Sequence, residues 1–181
     1  MSKLFVDEIV HQSSQGSGTI TIGASGEKID LGATAGGTLS NRPAWYAFQG
    51  SDQTLTSNTW TKLNLDTVLY DTNSGYDTTN KRFVVPTGFA GKYSFSANYI
   101  ANSMADGKRA DLRFYINGSF ENRTYARETT GKSDPILVQS HYTINLNEND
   151  YVEVYVNQAN GTDVTATSTF SFFSGCRLIG V

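Results

Sequence analysis

The chain has 181 residues and a formal net charge of -3, with 38% hydrophobic and 17% charged residues. That length fits one main domain plus a small extra segment, and it is enough to bury a sizeable core. The charge is mildly acidic with no basic stripe, and no apolar run is long enough to cross a bilayer, so nucleic acid and membrane insertion are not expected.

Ten Tyr, ten Phe and two Trp stand in a background rich in Gly, Ser, Thr and Asn, a composition that favours strands and turns. Residues 1–40 differ from the rest. Leu4, Phe5, Val6 and Ile9 form an apolar cluster, and Thr19-Ile20-Thr21-Ile22 alternates as a short strand. Ile29-Asp30-Leu31 repeats the alternation, with Gly- and Ser-rich stretches between. Strands this short and few cannot close a core alone. Two readings follow: a leader without fixed structure, or a segment that folds against neighbouring chains or a partner. The second is preferred, because Leu4, Phe5, Val6, Ile9, Ile20 and Ile22 need a surface to bury against. Asp7 and Glu8 interrupt the apolar opening, so no signal peptide is read and synthesis in a cytoplasm is expected. Cys176 is the sole cysteine, which leaves no intrachain disulfide.

From residue 41 the pattern becomes dense. Strands are expected at Ala44–Phe48, Thr59–Leu63, Val68–Tyr70 and Arg82–Val85, the last stopped by Pro86. Lys92–Tyr99 alternates cleanly, as does Ala110–Ile116, which ends at the hairpin signal Asn117-Gly118. Further strands are expected at Ile136–Leu146, Tyr151–Val156 and Thr169–Phe173, and no useful amphipathic helix follows Asn41. Many short strands with turns at this spacing indicate an all-β sandwich or jelly roll over 41–181.

The same stretch carries a motif series. Asp71, Tyr76 and Phe83 are followed by Gly91-Lys92-Tyr93-Ser94-Phe95, then by Phe114-Tyr115-Ile116-Asn117-Gly118, Asn149-Asp150-Tyr151-Val152 and Phe173-Ser174-Gly175. In order and spacing this resembles the C1q-like domain of the wider tumour-necrosis-factor-like jelly-roll group. Leu65 stands where that family has Phe, the run from Phe83 to Gly91 is longer, and Ala97 replaces a final aromatic. The resemblance implies a C1q/TNF-like jelly-roll sandwich assembled as a homotrimer through an aromatic-rich face; residues 1–40 are read before it as a short extended N-terminal β segment. Tyr93, Phe95, Tyr99, Phe170, Phe172 and Phe173 exceed what one small core would hold and are expected at the trimer interface, with ordinary core as the alternative for each.

The opening Met1–Ile9 is similar to the start of fibre-like structural proteins of marine tailed bacteriophages. Together the two resemblances imply a non-enzymatic virion structural protein, made in the host cytoplasm and carried in the virion. It would be a trimeric tail-fibre or receptor-binding head anchored by residues 1–40, with other virion proteins and a host surface glycan or protein as partners. The alternatives are a capsid decoration or cement protein, and a glycan-binding or glycan-cleaving jelly roll. Receptor contact is expected on the long polar connections, at Asp106, Lys108, Arg127, Lys132, Asn160 and Asp163.

No catalytic motif supports chemistry. His11 lies in the leader and His141 within an expected strand, with no nucleophile elbow nearby. No cofactor is expected. Calcium is the one ion considered, at Asp66, Asp71 and Asp77 or at Glu148 and Asp150, although Asp and Asn also serve turns for backbone reasons.

Overall fold

The computed structural model describes residues 43–132 and 134–178, which belong to the unit Ser40–Val181. The expected attachment residues Leu4, Phe5, Val6, Ile9, Ile20 and Ile22 lie outside the described residues.

Two antiparallel sheets face one another. The first runs β4 (Thr67–Asp71), β1 (Ala44–Phe48), β14 (Phe172–Arg177), β7 (Gly91–Met104) and β11 (Asp134–Leu146). On the β14 side of β7, β13 (Val164–Ala166) continues the sheet and carries β2 (Gln53–Leu55). The second runs β10 (Ala126–Thr129), β8 (Arg109–Ile116), β12 (Tyr151–Gln158), β6 (Arg82–Val84) and β5 (Tyr76–Asp77). Here β3 (Thr61–Lys62) pairs with β12, and β9 (Ser119–Phe120) pairs with β8. Among the described residues the helical elements are two single 3-10 turns, Asn122–Thr124 and Ser168–Phe170.

Period-two alternation explains the long strands. In β7, Tyr93, Phe95, Ala97, Tyr99 and Ala101 point into the sandwich, while Ser94, Ser96 and Asn98 point out. In β12, Val152, Val154 and Val156 are the inward set. The Asn117-Gly118 turn takes φ of +52° and +77°, the conformation that a two-residue hairpin loop requires. Five strands have no counterpart in the sequence expectations: β2, β5, β9, β10 and β13. Each is at most four residues long, too short for a pattern to register.

The signature residues earn their spacing by packing. Asp71 accepts the backbone N–H of Tyr76 at 2.7 Å, and the Tyr76 hydroxyl donates to the carbonyl of buried Leu65 at 2.9 Å. Phe83 lies flat on Trp45, with ring centroids 3.7 Å apart and 6° between planes. Tyr93 closes the corner by donating to the Phe89 carbonyl at 2.7 Å.

These inward tyrosines set an alkaline limit. Burial pushes the Tyr93 hydroxyl up to about 12, and it pushes Tyr76 and Tyr99 in the same direction further still. An unfolded Tyr ionises near 10, so the folded state holds these protons more tightly. Their contribution to stability is complete below about pH 10 and is lost as pH rises through the folded values. Melting temperature is therefore expected to fall from about pH 10 to 12, with the phenolate absorbance of these three buried tyrosines appearing only on unfolding. A flat melting temperature across that window would contradict this.

Candidate functional site

Three surfaces compete for function: the outer face of each sheet, and one end of the sandwich.

The outer face of the first sheet is aromatic on one side and polar on the other. Cross-strand pairing aligns Tyr70, Tyr46, Ser174, Ser96 and His141 in one row, and Thr67, Phe48, Phe172, Asn98 and Gln139 in the next. Tyr46 stacks on Phe172 at 5.1 Å and lies 6.2 Å from Tyr70 and 6.5 Å from Phe48. Tyr70 is 47% exposed, and Leu69, projected outward by an irregularity in the β1–β4 pairing, is 68% exposed. The Asn98 side-chain oxygen is buried yet accepts no hydrogen bond within the protomer. Large apolar side chains gathered on one face of a sheet mark a contact surface.

This placement corrects four of the expected interface residues. Tyr93, Phe95, Tyr99 and Phe173 are at most 1% exposed, packed between the two sheets of a single protomer. They have no surface left to offer a second copy. Phe170, 53% exposed, and half-buried Phe172 do lie on the outside. Tyr46, Phe48 and Tyr70 join Phe172 instead. Parity along β1 carries that signal, since Trp45 and Ala47 are inward and Tyr46 and Phe48 must then face out.

The outer face of the second sheet combines cations with rings. Arg113 of β8 sits with its guanidinium carbon 4.0 Å from the Trp60 ring centre, 4.9 Å from that of Tyr125 and 5.0 Å from that of Phe120. Two residues back along the strand, and so on the same face, is Asp111, only 1% exposed. Its carboxylate accepts Arg127 Nε at 2.7 Å and the Tyr125 hydroxyl at 2.8 Å on one oxygen, and Asn157 Nδ2 at 3.3 Å and Arg109 Nε at 3.4 Å on the other. Burial first, then this hydrogen bond, raises the Tyr125 hydroxyl pKa. The remaining cations of this face are paired: Lys62 with Glu153 at 2.6 Å, and Arg82 with Asp77 at 3.6 Å.

At one end of the sandwich several turns are laced together. Ala105 N–H donates to Asn160 Oδ1 at 2.8 Å, Gly107 N–H to the Thr130 carbonyl at 3.2 Å, and Gly161 N–H to Ser57 Oγ at 2.9 Å. Five expected contact residues, Asp106, Lys108, Lys132, Asn160 and Asp163, fall in these turns. Arg127 does not: it belongs to strand β10 and is held by Asp111.

His141 is exposed, with Nε2 3.4 Å from Ser94 Oγ, and among the described residues no carboxylate orients it. A triad needs that third group. The turn carboxylates are occupied locally. Asp66 accepts Gly50 N–H, Asp77 accepts Thr79 and Asn80 N–H, and Glu148 accepts Gly88 N–H. Asp150 accepts Asn147 N–H and Asn117 Nδ2. At Asp66 burial is the largest single influence and pushes upward, but the hydrogen bonds from Gly50, Thr67 and Asn64 together hold its carboxyl below the usual carboxylate range; at Asp77 the Asn80 side-chain amide, then the Asn80 backbone N–H, does the same. Among the described residues no three acidic, His or Cys side chains converge as a metal-ligand group.

No family model and no curated protein matches the chain. Solved structures do. The globular domain of zebrafish complement 1qA aligns with a TM-score of 0.53 at 15% identity, covering 76% of this chain and 98% of that one. Murine APRIL at pH 5.0 gives 0.56 at 11% identity over 75% and 98% of the two chains. Eiger TNF from S. frugiperda gives 0.52 at 13% identity over 76% and 93%. The fold is that of the C1q and TNF jelly rolls. At such identities the likeness concerns the fold of the backbone alone.

Proposed function

We propose that this protein is a non-enzymatic structural and attachment module of a virion, working as a homotrimer. The observation that carries the self-association is the aromatic face of the first sheet, where Tyr46, Phe48, Tyr70 and Phe172 form one connected cluster beside exposed Leu69. A cyclic trimer buries such a face in three equivalent, closed contacts. In this reading residues 1–40 dock on a larger particle, and the sandwich is displayed as a tail-fibre or receptor-binding head. The C1q/TNF-type fold and the resemblance of the opening Met1–Ile9 to phage fibre-like proteins support it. A capsid decoration protein would use the same parts at higher copy number.

Light scattering on the full chain at micromolar concentration is expected to return three times the 19.8 kDa of one chain. A monomer would end the trimer reading. Imaging of the intact particle then separates the two locations: a few copies at the tail fit a fibre, whereas copies across the shell fit decoration.

A further inference from the structure

Arginine side chains on the second sheet's outer face outnumber their acidic partners. Arg109, Arg113 and Arg127 share this face with one carboxylate of strand β8, that of Asp111, in a chain whose formal net charge is -3. Asp111 engages Arg109 and Arg127. The Arg113 side chain has no carboxylate partner and no hydrogen bond among the described residues, and its Nε is buried without an acceptor. Three rings instead hold its guanidinium plane. A guanidinium fixed in this way has lost most of its rotamer freedom already, so pairing its fork with an anion costs little further entropy. The rings that fix it also remain accessible: Phe120 is 51% exposed, Tyr125 is 39% exposed and Trp60 is half-buried.

We propose that this cluster, Arg113 framed by Trp60, Phe120 and Tyr125, is a binding site for a carboxylated saccharide. The sugar carboxylate pairs with the Arg113 fork, and the apolar face of the sugar ring rests on the exposed aromatic surface. A planar fork matches a carboxylate in two parallel hydrogen bonds. The site has room for one anionic group, because Lys62 and Arg82 beyond it are neutralised by Glu153 and Asp77. That argues against a nucleic-acid backbone, whose recognition needs several unpaired cations in a row. The proposal rests on the attachment reading above and moves the contact from the loop end to a strand face.

The test is calorimetric titration of the full-length protein with oligogalacturonate, sialyllactose and hyaluronan fragments, each beside a neutral counterpart such as the methyl ester or lactose. Binding of at least one acidic member, with its neutral counterpart at least about tenfold weaker, is expected, since a hydrogen bond to a charged group is markedly stronger than one between neutral groups. Arg113→Gln and Trp60→Ala should each lose about tenfold or more in affinity, and Arg113→Lys should recover only part of it, because it restores charge without the fork. Arg123→Gln, at an arginine outside the cluster and 77% exposed, should bind as the parent does. Near-ultraviolet circular dichroism of each variant shows whether it is folded, and Arg113→Lys keeps the test valid if Arg113→Gln is not. The proposal is overturned by absence of binding to every acidic saccharide, by equal binding of the neutral forms, or by unchanged affinity in Arg113→Gln. It is equally overturned if oligoglutamate or single-stranded DNA binds at Arg113 more tightly than any saccharide. Scattering mass is read in parallel: a trimer that binds no saccharide defeats this site alone, whereas a monomer defeats the assembly.

Discussion

Trp45→Ala is expected to destabilise the protein by about 3–5 kcal/mol, the range for removing a large aromatic from a packed core. Trp45 is fully buried, stacked on Phe83 and edge-on to Phe173 at 5.3 Å. It also explains a glycine. A Cβ at Gly175 would stand 2.5 Å from the Trp45 ring and 2.7 Å from the Phe95 Cβ, so the indole occupies the space that any other residue there would fill. Gly175→Ala should therefore cost about 1–3 kcal/mol through overpacking, from the opposite side of the same contact. The double variant should be less than additive, because alanine at 45 removes the indole's share of the obstruction and leaves only the Phe95 Cβ. Urea unfolding followed by circular dichroism measures all three. A loss below about 1 kcal/mol in Trp45→Ala would mean that this indole is not central to the core.

Phe172→Asp is expected to convert the proposed trimer to monomer at micromolar concentration while leaving each chain folded. Phe172 is the outward member of a consecutive aromatic pair, Phe173 being its inward neighbour, and it stacks on Tyr46 at 5.1 Å. Truncating a central aromatic of an interface costs at least about 2 kcal/mol, and burying an uncompensated carboxylate adds to that at each of three contacts. Within a protomer the same side chain is only half-buried, so its folding cost is far smaller. The paired change Phe173→Asp should do the reverse and unfold the protomer, since that position is fully buried. Scattering mass against urea midpoint separates the two outcomes. A trimer that persists in Phe172→Asp would place the interface elsewhere.

Strand parity was legible in the sequence, but its sense was only partly so. The alternation of Tyr93, Phe95, Ala97 and Tyr99 with Ser94, Ser96 and Asn98 shows that these aromatics share a face. Assigning that face to the core needs the size of the opposite sheet, whose Phe83, Phe114, Val152 and Val154 complete the packing. Counting aromatics overestimated the surplus because a two-sheet core takes up more rings than one sheet suggests. The loop residues Asp106, Lys108 and Asn160 fall into one cluster as polar turns do, whereas Arg127 lies in β10, a strand with a single half-buried residue and no apolar rhythm to mark it. The Arg113 cluster was hidden for a different reason. Its rings come from Trp60, just before β3, and from Phe120 and Tyr125 in the stretch between β8 and β10, segments that only the folded sheet brings together. The outward series Asp111, Arg113, Tyr115 within Ala110–Ile116 was its one local trace.

The pairing of β1 with β14 sets a timetable for folding. Ala44 lies opposite Cys176 and Phe48 opposite Phe172, so the first described strand has to wait for the last. During synthesis Trp45 and Phe83 emerge long before Phe173 and Gly175 exist to cover them. A nascent chain ending before β14 leaves β1 without its link to β7, since β14 stands between the two. Long-range pairing of this kind makes folding slow and exposes apolar strands on the way. Truncation before residue 172 should therefore yield aggregates rather than a smaller soluble domain, and fast translation without release should favour chains that pair with one another's unfinished sheets.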